Sequence, residues 1–488
     1  MLSEEALERL SEKLVNRIEE LNQFMIEKIG EQIVDIGTLT PSQLKQVFQS
    51  IKYGNDFDES LNKIAEITDK NVKDIYEIFE EVAKQNQDYA KKFYEYKNVN
   101  YIPYEENQAL QNQVKAIAQA TANDYINMSQ TIAYTFYNDS GVKEFSPLSE
   151  IYQKITDRAI LSMSQGRESF DTIMKRTMKE LTSSGLRTVN YASGYSRRLD
   201  SSVRMNIMDG IRRLNRELQL QFGQEFGADG IEVSHHKNSA PDHIDTIDGK
   251  QFSKEEFEQV NNSLNRHVGE LNCYHFIYSI VLGVSKPMYS KDELEADRKN
   301  NMQGFEFEGK HYTNYEGTQL QRQLETKIRQ YKERQIGAKA IKDTDEVYKC
   351  QEKIDKLTQK YKELADVSGL STKVDRLRIE GYKRLSGNTR DYYEKNLIGT
   401  KVNNITINGV SDHLLERKTS RNIKLEYIRD SFTKPLKVGK IKEDEQGRKS
   451  IQYIGEHATS IINPDDGTIV SVWRTSSRRV QKLKGDKK

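Results

Sequence analysis

Four side chains of the kinds that bind borderline metals fall within residues 235–275: His235, His243, Cys273 and His275. Imidazole and thiolate are donors that zinc prefers, and four of them satisfy a tetrahedral site, so a structural zinc is one chemistry open to them. Cys273 and His275 stand two apart, which on a strand turns both to one side. The step from His235 to His243 is looser than the tight ligand pairs of most zinc motifs, and the plainer account is that these groups hydrogen-bond the backbone of loops. Asp242, Asp245 and Asp248 lie between them and offer carboxylates that cap turns or bind a hard cation.

A second set lies near the C-terminal end. His413, Arg417 and Arg421 recur at four-residue steps and share one face of a helix. Two guanidinium groups on one face suit a phosphate, and His413 can serve as base or acid. Thr475 and Ser476, at a strand end, can hold a phosphate oxygen or orient a nucleophile, and Trp473 can stack on a base. Metal-independent RNA cleavage needs these parts: a base, an acid and cations against the developing charge, with no cofactor. The structural alternative has His413 and Arg417 paired with Glu416 or backbone, and the single tryptophan anchoring a core.

Long helices must flank the first set. Of the 488 residues 35% are hydrophobic and 31% charged, which favours helices with much solvated surface. The first 400 residues hold 56 Lys/Arg against 63 Asp/Glu, whereas residues 401–488 hold 19 against 11. Nucleic acid, if contacted, is therefore expected at the C-terminal end. Two cysteines exclude a disulfide framework, the acidic start lacks a signal peptide's features, and no apolar run is long enough to span a membrane.

The fold expected is mainly α with α+β units. Residues 1–220 read as an elongated helical region, nearly continuous, with Leu7, Leu10, Leu14, Ile18, Leu21, Met25 and Ile29 as an apolar stripe. Breaks are expected at Gly30, Gly54, Pro103 and Asn138–Gly141, with Thr40-Pro41-Ser42-Gln43 as a helix start, and long helices between about 148 and 222. Residues 221–290 read as a small mixed α/β unit and 291–395 as a charged helical arm. Residues 396–488 read as an independent α+β domain: one or two helices over 412–431, then an antiparallel sheet of three or four strands, two of them joined by the turn Asn463-Pro464-Asp465-Asp466-Gly467.

Three stretches carry a family resemblance: Ile231–His243 continuing through Ile247–Phe252, then Leu271–Phe276, then Tyr312–Lys332. Their order resembles the phage minor capsid protein 2 family, within the wider Mu F-like head proteins, over roughly residues 1–385. Many relatives have arginine and a glycine-rich loop around the Asn-Cys pair, whereas here Tyr274 follows Cys273 and the preceding loop is polar with one glycine at Gly269. The resemblance implies a low-copy head protein found in the virion, with portal and capsid proteins as partners, present in the host cytoplasm during assembly or after injection. The C-terminal string His413–Arg417, Arg421, Pro435, Tyr453–Glu456, Asn463, Gly467 and Val472–Ser476 resembles phage-associated nuclease domains of the barnase, EndoU, colicin E5/D and RelE type. That implies an endoribonuclease with His413, Arg417, Arg421, Thr475 and Ser476 in catalytic roles, and Tyr453, Trp473 and Arg474 against nucleic acid. Packaged DNA or host RNA would be the ligand, and an immunity protein a further partner. The rival implications are an RNA-cleaving toxin delivered by the particle and a non-catalytic nucleic-acid-binding head protein.

Overall fold

The computed structural model describes residues 4–37, 52–137, 142–148, 150–151, 154–155, 170–190, 195–270, 273–385, 389–421, 423–444 and 447–485. The chain divides into two compact units, Met1–Ile341 with Leu357–Tyr382 and Lys342–Lys356 with Lys383–Lys488. Taken together they are mainly helical with small α+β parts, as expected.

The first unit opens with α1 (Glu4–Gly37), α2 (Lys52–Lys97) and α3 (Gln108–Gln130). Then come β1 (Ile132–Tyr137), β2 (Lys143–Pro147), α4 (Phe170–Ser184), β3 (Arg187–Asn190), β4 (Tyr195–Arg198) and α5 (Leu199–Glu225). The α1 stripe behaves as its spacing demands: Leu14, Ile18, Leu21, Met25 and Ile29 are all buried. Each such side chain contributes about 1.5–3 kcal/mol through its removal from water. α5 is the hub, packing on α1, α2 and α3.

Two expectations for this region need correcting. Gly30 and Gly54 break nothing, since α1 and α2 run through them. A Cβ on Gly30 would stand 2.6 Å from that of Ala340, so this glycine admits a neighbouring helix. Nor is 1–220 continuous helix: β1–β4 form an antiparallel sheet in the order β2-β1-β3-β4. Ile132-Ala133-Tyr134-Thr135-Phe136-Tyr137 is rich in β-branched and aromatic residues, a pattern that suits a pleated surface. The proposed helix start at Thr40–Gln43 and the break at Asn138–Gly141 lie outside the described residues.

Next follow β5 (Gly230–Val233), α6 (Pro241–Ile244), β6 (Gln251–Ser253), α7 (Lys254–Ser263) and β7 (Ile277–Ile280). β5 is the centre of a three-stranded antiparallel sheet, between β6 and β7. Ile231, Val233, Ile247, Phe257 and Ile277 form its own small core. Then come α8 (Lys291–Gln303), β8 (Phe305–Phe307), β9 (Lys310–Tyr312), α9 (Asn314–Ala340) and α10 (Thr344–Ser368). Within residues 291–395, read as a charged helical arm, α9 packs on α1 and α4 with Leu324, Ile328 and Ile336 buried. It buries Glu325 and Glu333 as well, because both find partners: Tyr361 donates to Glu325 and Arg198 to Glu333.

The second unit holds α11 (Thr389–Leu397), β10 (Lys401–Val402), β11 (Ile405–Thr406), β12 (Gly409–Val410), α12 (Asp412–Ser420) and α13 (Leu425–Thr433). It continues with β13 (Lys437–Val438), β14 (Lys442–Glu443), β15 (Lys449–Ile454), β16 (Ala458–Ile462), β17 (Thr468–Arg474) and α14 (Ser477–Gly485). The sheet has six strands rather than three or four, ordered β12-β17-β16-β15-β13 with β14 also on β15, and β12 joins β17 in parallel. The extra strands are two residues long, too short to leave a pattern in sequence. At the 463–467 turn Gly467 has φ +73°, and a Cβ there would lie 2.1 Å from the Thr406 carbonyl oxygen.

One buried cation in this unit yields a prediction. Lys418 on α12 is 5% exposed. Burial pulls its pKa down to about 8; Asp345, Glu352 and Glu346 pull it back up, and Lys349 opposes them. A lysine depressed in the folded state costs stability below that value, and the cost fades as pH rises from about 8 towards the unfolded value of about 10.4. Lys418→Met is expected to stabilise the unit by about 1–2 kcal/mol at pH 7 and to flatten stability above pH 8. Amide exchange at Leu414 and Ile428 reads this locally; unchanged protection at pH 7 would count against it.

Candidate functional site

The His/Cys set gathers around one carboxylate. Asp248 stands just after α6 and just before β6, on a loop tightened by amides of Thr246, Ile247 and Asp248 that all donate to the His243 carbonyl. Its Oδ2 lies 2.6 Å from His235 Nδ1, and its Oδ1 lies 2.7 Å from His275 Nε2, 2.8 Å from the His236 amide and 2.8 Å from Ser239 Oγ. Burial raises the Asp248 carboxyl, but hydrogen bonds from His235 and His275 overcome this and hold it well below the usual range. His235 also reaches Asp297 of α8 through Nε2 at 3.0 Å. Burial lowers its pKa, and the two carboxylates more than reverse that.

The sheet brings the strand ends together. Val233 pairs with Ile277, and beyond them Ser234 and Phe276 exchange bonds, the Ser234 amide donating to the Phe276 carbonyl at 2.9 Å and the Phe276 amide to Ser234 Oγ at 2.9 Å. His275 is thereby delivered beside the loop that carries Asp248. Pro241 opens α6, where its lacking N–H costs nothing, and α6 turns His243 inward to 0% exposure.

Three donor atoms then converge. Cys273 Sγ lies 3.6 Å from His243 Nδ1 and 3.3 Å from His275 Nδ1, and the two Nδ1 atoms are 3.4 Å apart. All three residues are buried. Burial pushes the Cys273 thiol up, and the bonds from His243 and His275 outweigh it, leaving a pKa of about 5. Burial likewise lowers His275, while Asp248 and Cys273 lift it to about 9. His235 is not among the convergent donors, because both its ring nitrogens are spent on Asp248 and Asp297. Asp248, read from sequence as a turn cap or hard-cation ligand, is the hub that aligns the rings. Tyr274 packs its ring against Arg212 and Arg322, guanidinium carbons 5.4 and 5.9 Å from its centroid.

The C-terminal set is only partly assembled. His413 is exposed at the start of α12, and Arg421 sits just beyond that helix's last turn. Arg421 donates to the Val472 carbonyl at 3.2 Å, and Arg474 Nε donates to the Arg421 carbonyl at 3.1 Å. Thr475 Oγ1 donates to the Gly455 carbonyl at 2.9 Å and its amide to the His457 carbonyl at 3.1 Å, while the Ser476 carbonyl accepts the first bonds of α14. Arg421, Arg474 and Thr475 thus share one end of β17. Ser411, next to His413, bonds Ile469 and Val470 near the strand's other end. A residue missed in the sequence, His457, lies by Thr475 with its ring 4.5 Å from that of Tyr427. Arg417 and Trp473 are half-buried. Tyr453 is 0% exposed and packs on Phe432, so it has no face to offer a base.

Among the described residues no helix is long and apolar enough to cross a membrane. A family model described as phage minor capsid protein 2 matches residues 2–366, which include the whole Asp248 network. No curated protein and no solved structure gives a match. With about three quarters of its length matched, the chain belongs to the phage minor capsid protein 2 family, and as a minor capsid protein it is a part of the virion.

Proposed function

We propose that the chain is a low-copy head protein that sits with the portal, and that its second unit binds and cleaves RNA without a metal. The observation that carries the RNA half is the end of β17, where Arg421, Arg474 and Thr475 gather and the Thr475 amide bonds the His457 carbonyl, on a segment with 19 basic against 11 acidic residues. Guanidinium groups supply phosphate contacts and an exposed imidazole supplies proton transfer. Part of this basic charge also satisfies the backbone carbonyl of Arg421 just past α12, which fixes it in place.

The test uses full-length protein with tRNA and total RNA in the presence of a chelator. Cleavage is expected, and losing the acting base in His457→Ala or His413→Ala should slow it by about 10²–10⁴-fold. Tight binding without cleavage would leave a non-catalytic nucleic-acid-binding head protein, and neither binding nor cleavage would end the RNA reading. Growth arrest by wild type but by neither variant would favour a delivered toxin. Failure to co-purify with portal from mature particles would end the portal reading.

A further inference from the structure

We propose that His243, Cys273 and His275 hold one zinc ion through Nδ1, Sγ and Nδ1, with a fourth position supplied from the adjoining cavity. The outer hydrogen bonds decide which ring nitrogens are free. His243 Nε2 lies 2.8 Å from the Arg266 carbonyl oxygen, which can only accept, so Nε2 carries the proton. His275 Nε2 lies 2.7 Å from the Asp248 carboxylate and is protonated for the same reason. In their neutral forms both imidazoles therefore aim Nδ1 lone pairs at each other and at the Cys273 sulfur. Three such atoms within 3.6 Å repel one another unless a proton or a cation stands between them, and a single cation bonded to all three relieves every pair at once.

The spacings fit that cation. Zinc bonds of about 2.0–2.1 Å to nitrogen and 2.3 Å to sulfur, at tetrahedral angles, place N and N about 3.4 Å apart and N and S about 3.6 Å apart. The observed separations are 3.4 Å for the nitrogens and 3.6 and 3.3 Å to the sulfur. A thiolate with two imidazoles selects zinc over the oxygen-seeking cations. The surroundings also match a metal site, since a ligating histidine ordinarily gives its second N–H to a carboxylate or a backbone carbonyl. Here one histidine does each. The three residues line a cavity of about 980 Å³, which gives water a route to the fourth position.

Full-length protein purified under reducing conditions is expected to carry about one zinc per chain by elemental analysis. After chelation, cobalt(II) should give a thiolate-to-cobalt charge-transfer band and the strong visible absorption of tetrahedral cobalt. Cys273→Ser should lose the band, and Asp248→Asn should bind about 10–100-fold more weakly. His235→Asn should keep band and stoichiometry, because His235 stands on the far side of Asp248. Wild-type protein that takes up neither metal overturns the proposal, as does a thiolate band that survives Cys273→Ser or vanishes in His235→Asn. Should Cys273→Ser fail to fold, the wild-type spectrum decides: bound cobalt without a thiolate band excludes Cys273.

Discussion

Arg198→Met is expected to destabilise the first unit by about 3–5 kcal/mol, the cost of stranding buried carboxylates without their cation. Arg198, at the junction of β4 and α5, forms a two-pronged pair with Glu333 of α9, one prong at 3.1 Å, and lies 3.4 Å from Asp200. Arg329 of α9 binds Asp200 and, at 2.6 Å, Glu19 of α1. Asn22 closes the network by donating to Glu333 at 3.1 Å and accepting from the Leu186 amide at 3.2 Å. Three carboxylates face two guanidinium groups, so one acid is in excess. Glu19 is that acid: burial, opposed by Arg329 and reinforced by Asp200 and Glu333, pushes it up to about 7. An acid raised in the folded state adds stability that is fully present below its unfolded value and is lost as pH climbs through about 7. Glu19→Gln should therefore remove a downward slope in stability between about pH 4.5 and 7 and cost little above it. Urea unfolding across that range checks both variants, and an Arg198→Met midpoint within error of wild type would refute the network's role.

Gly337→Leu is expected to cost about 3 kcal/mol, and even Gly337→Ala about 1 kcal/mol, against the gain of about 1 kcal/mol that alanine brings to an ordinary helix interior. A Cβ at 337 would stand 2.6 Å from Thr182 Cγ2 and 2.8 Å from Met178 Sδ, and α4 carries both of those side chains. Gly30 meets Ala340 in the same way, so small residues let α1, α4 and α9 approach closely. Thermal unfolding separates the two forces, since a stabilised Gly337→Ala would mean that propensity, not packing, governs the contact.

Those glycines show what a single sequence hides. Gly30 reads as a helix stop because backbone freedom is its commonest use, whereas its use here is small volume, visible only once Ala340 is known to lie opposite. The α1 stripe, β15–β17 and the 463–467 turn were legible because each is written in local periodicity or turn chemistry. Arg198 and Glu333, 135 positions apart, look like any exposed charges on helices; burial makes them a pair, and burial is not local. The candidate site was half legible. The donor types and the two-residue step from Cys273 to His275 pointed to it, but nothing in the spacing tells a ligating histidine from His235, which faces the same carboxylate from outside.

The bond between Asn22 and Glu333 spans 311 positions, which matters while the chain is being made. At about 5–20 residues per second a ribosome needs roughly 15–60 s to go from one to the other. Through that interval α1 has α2 to lean on, through Lys13 and Arg17 against Asp74, and later α5, but not yet α9. Nascent chains halted before residue 314 should therefore expose apolar surface to chaperones, and those extended past α9 should bury it.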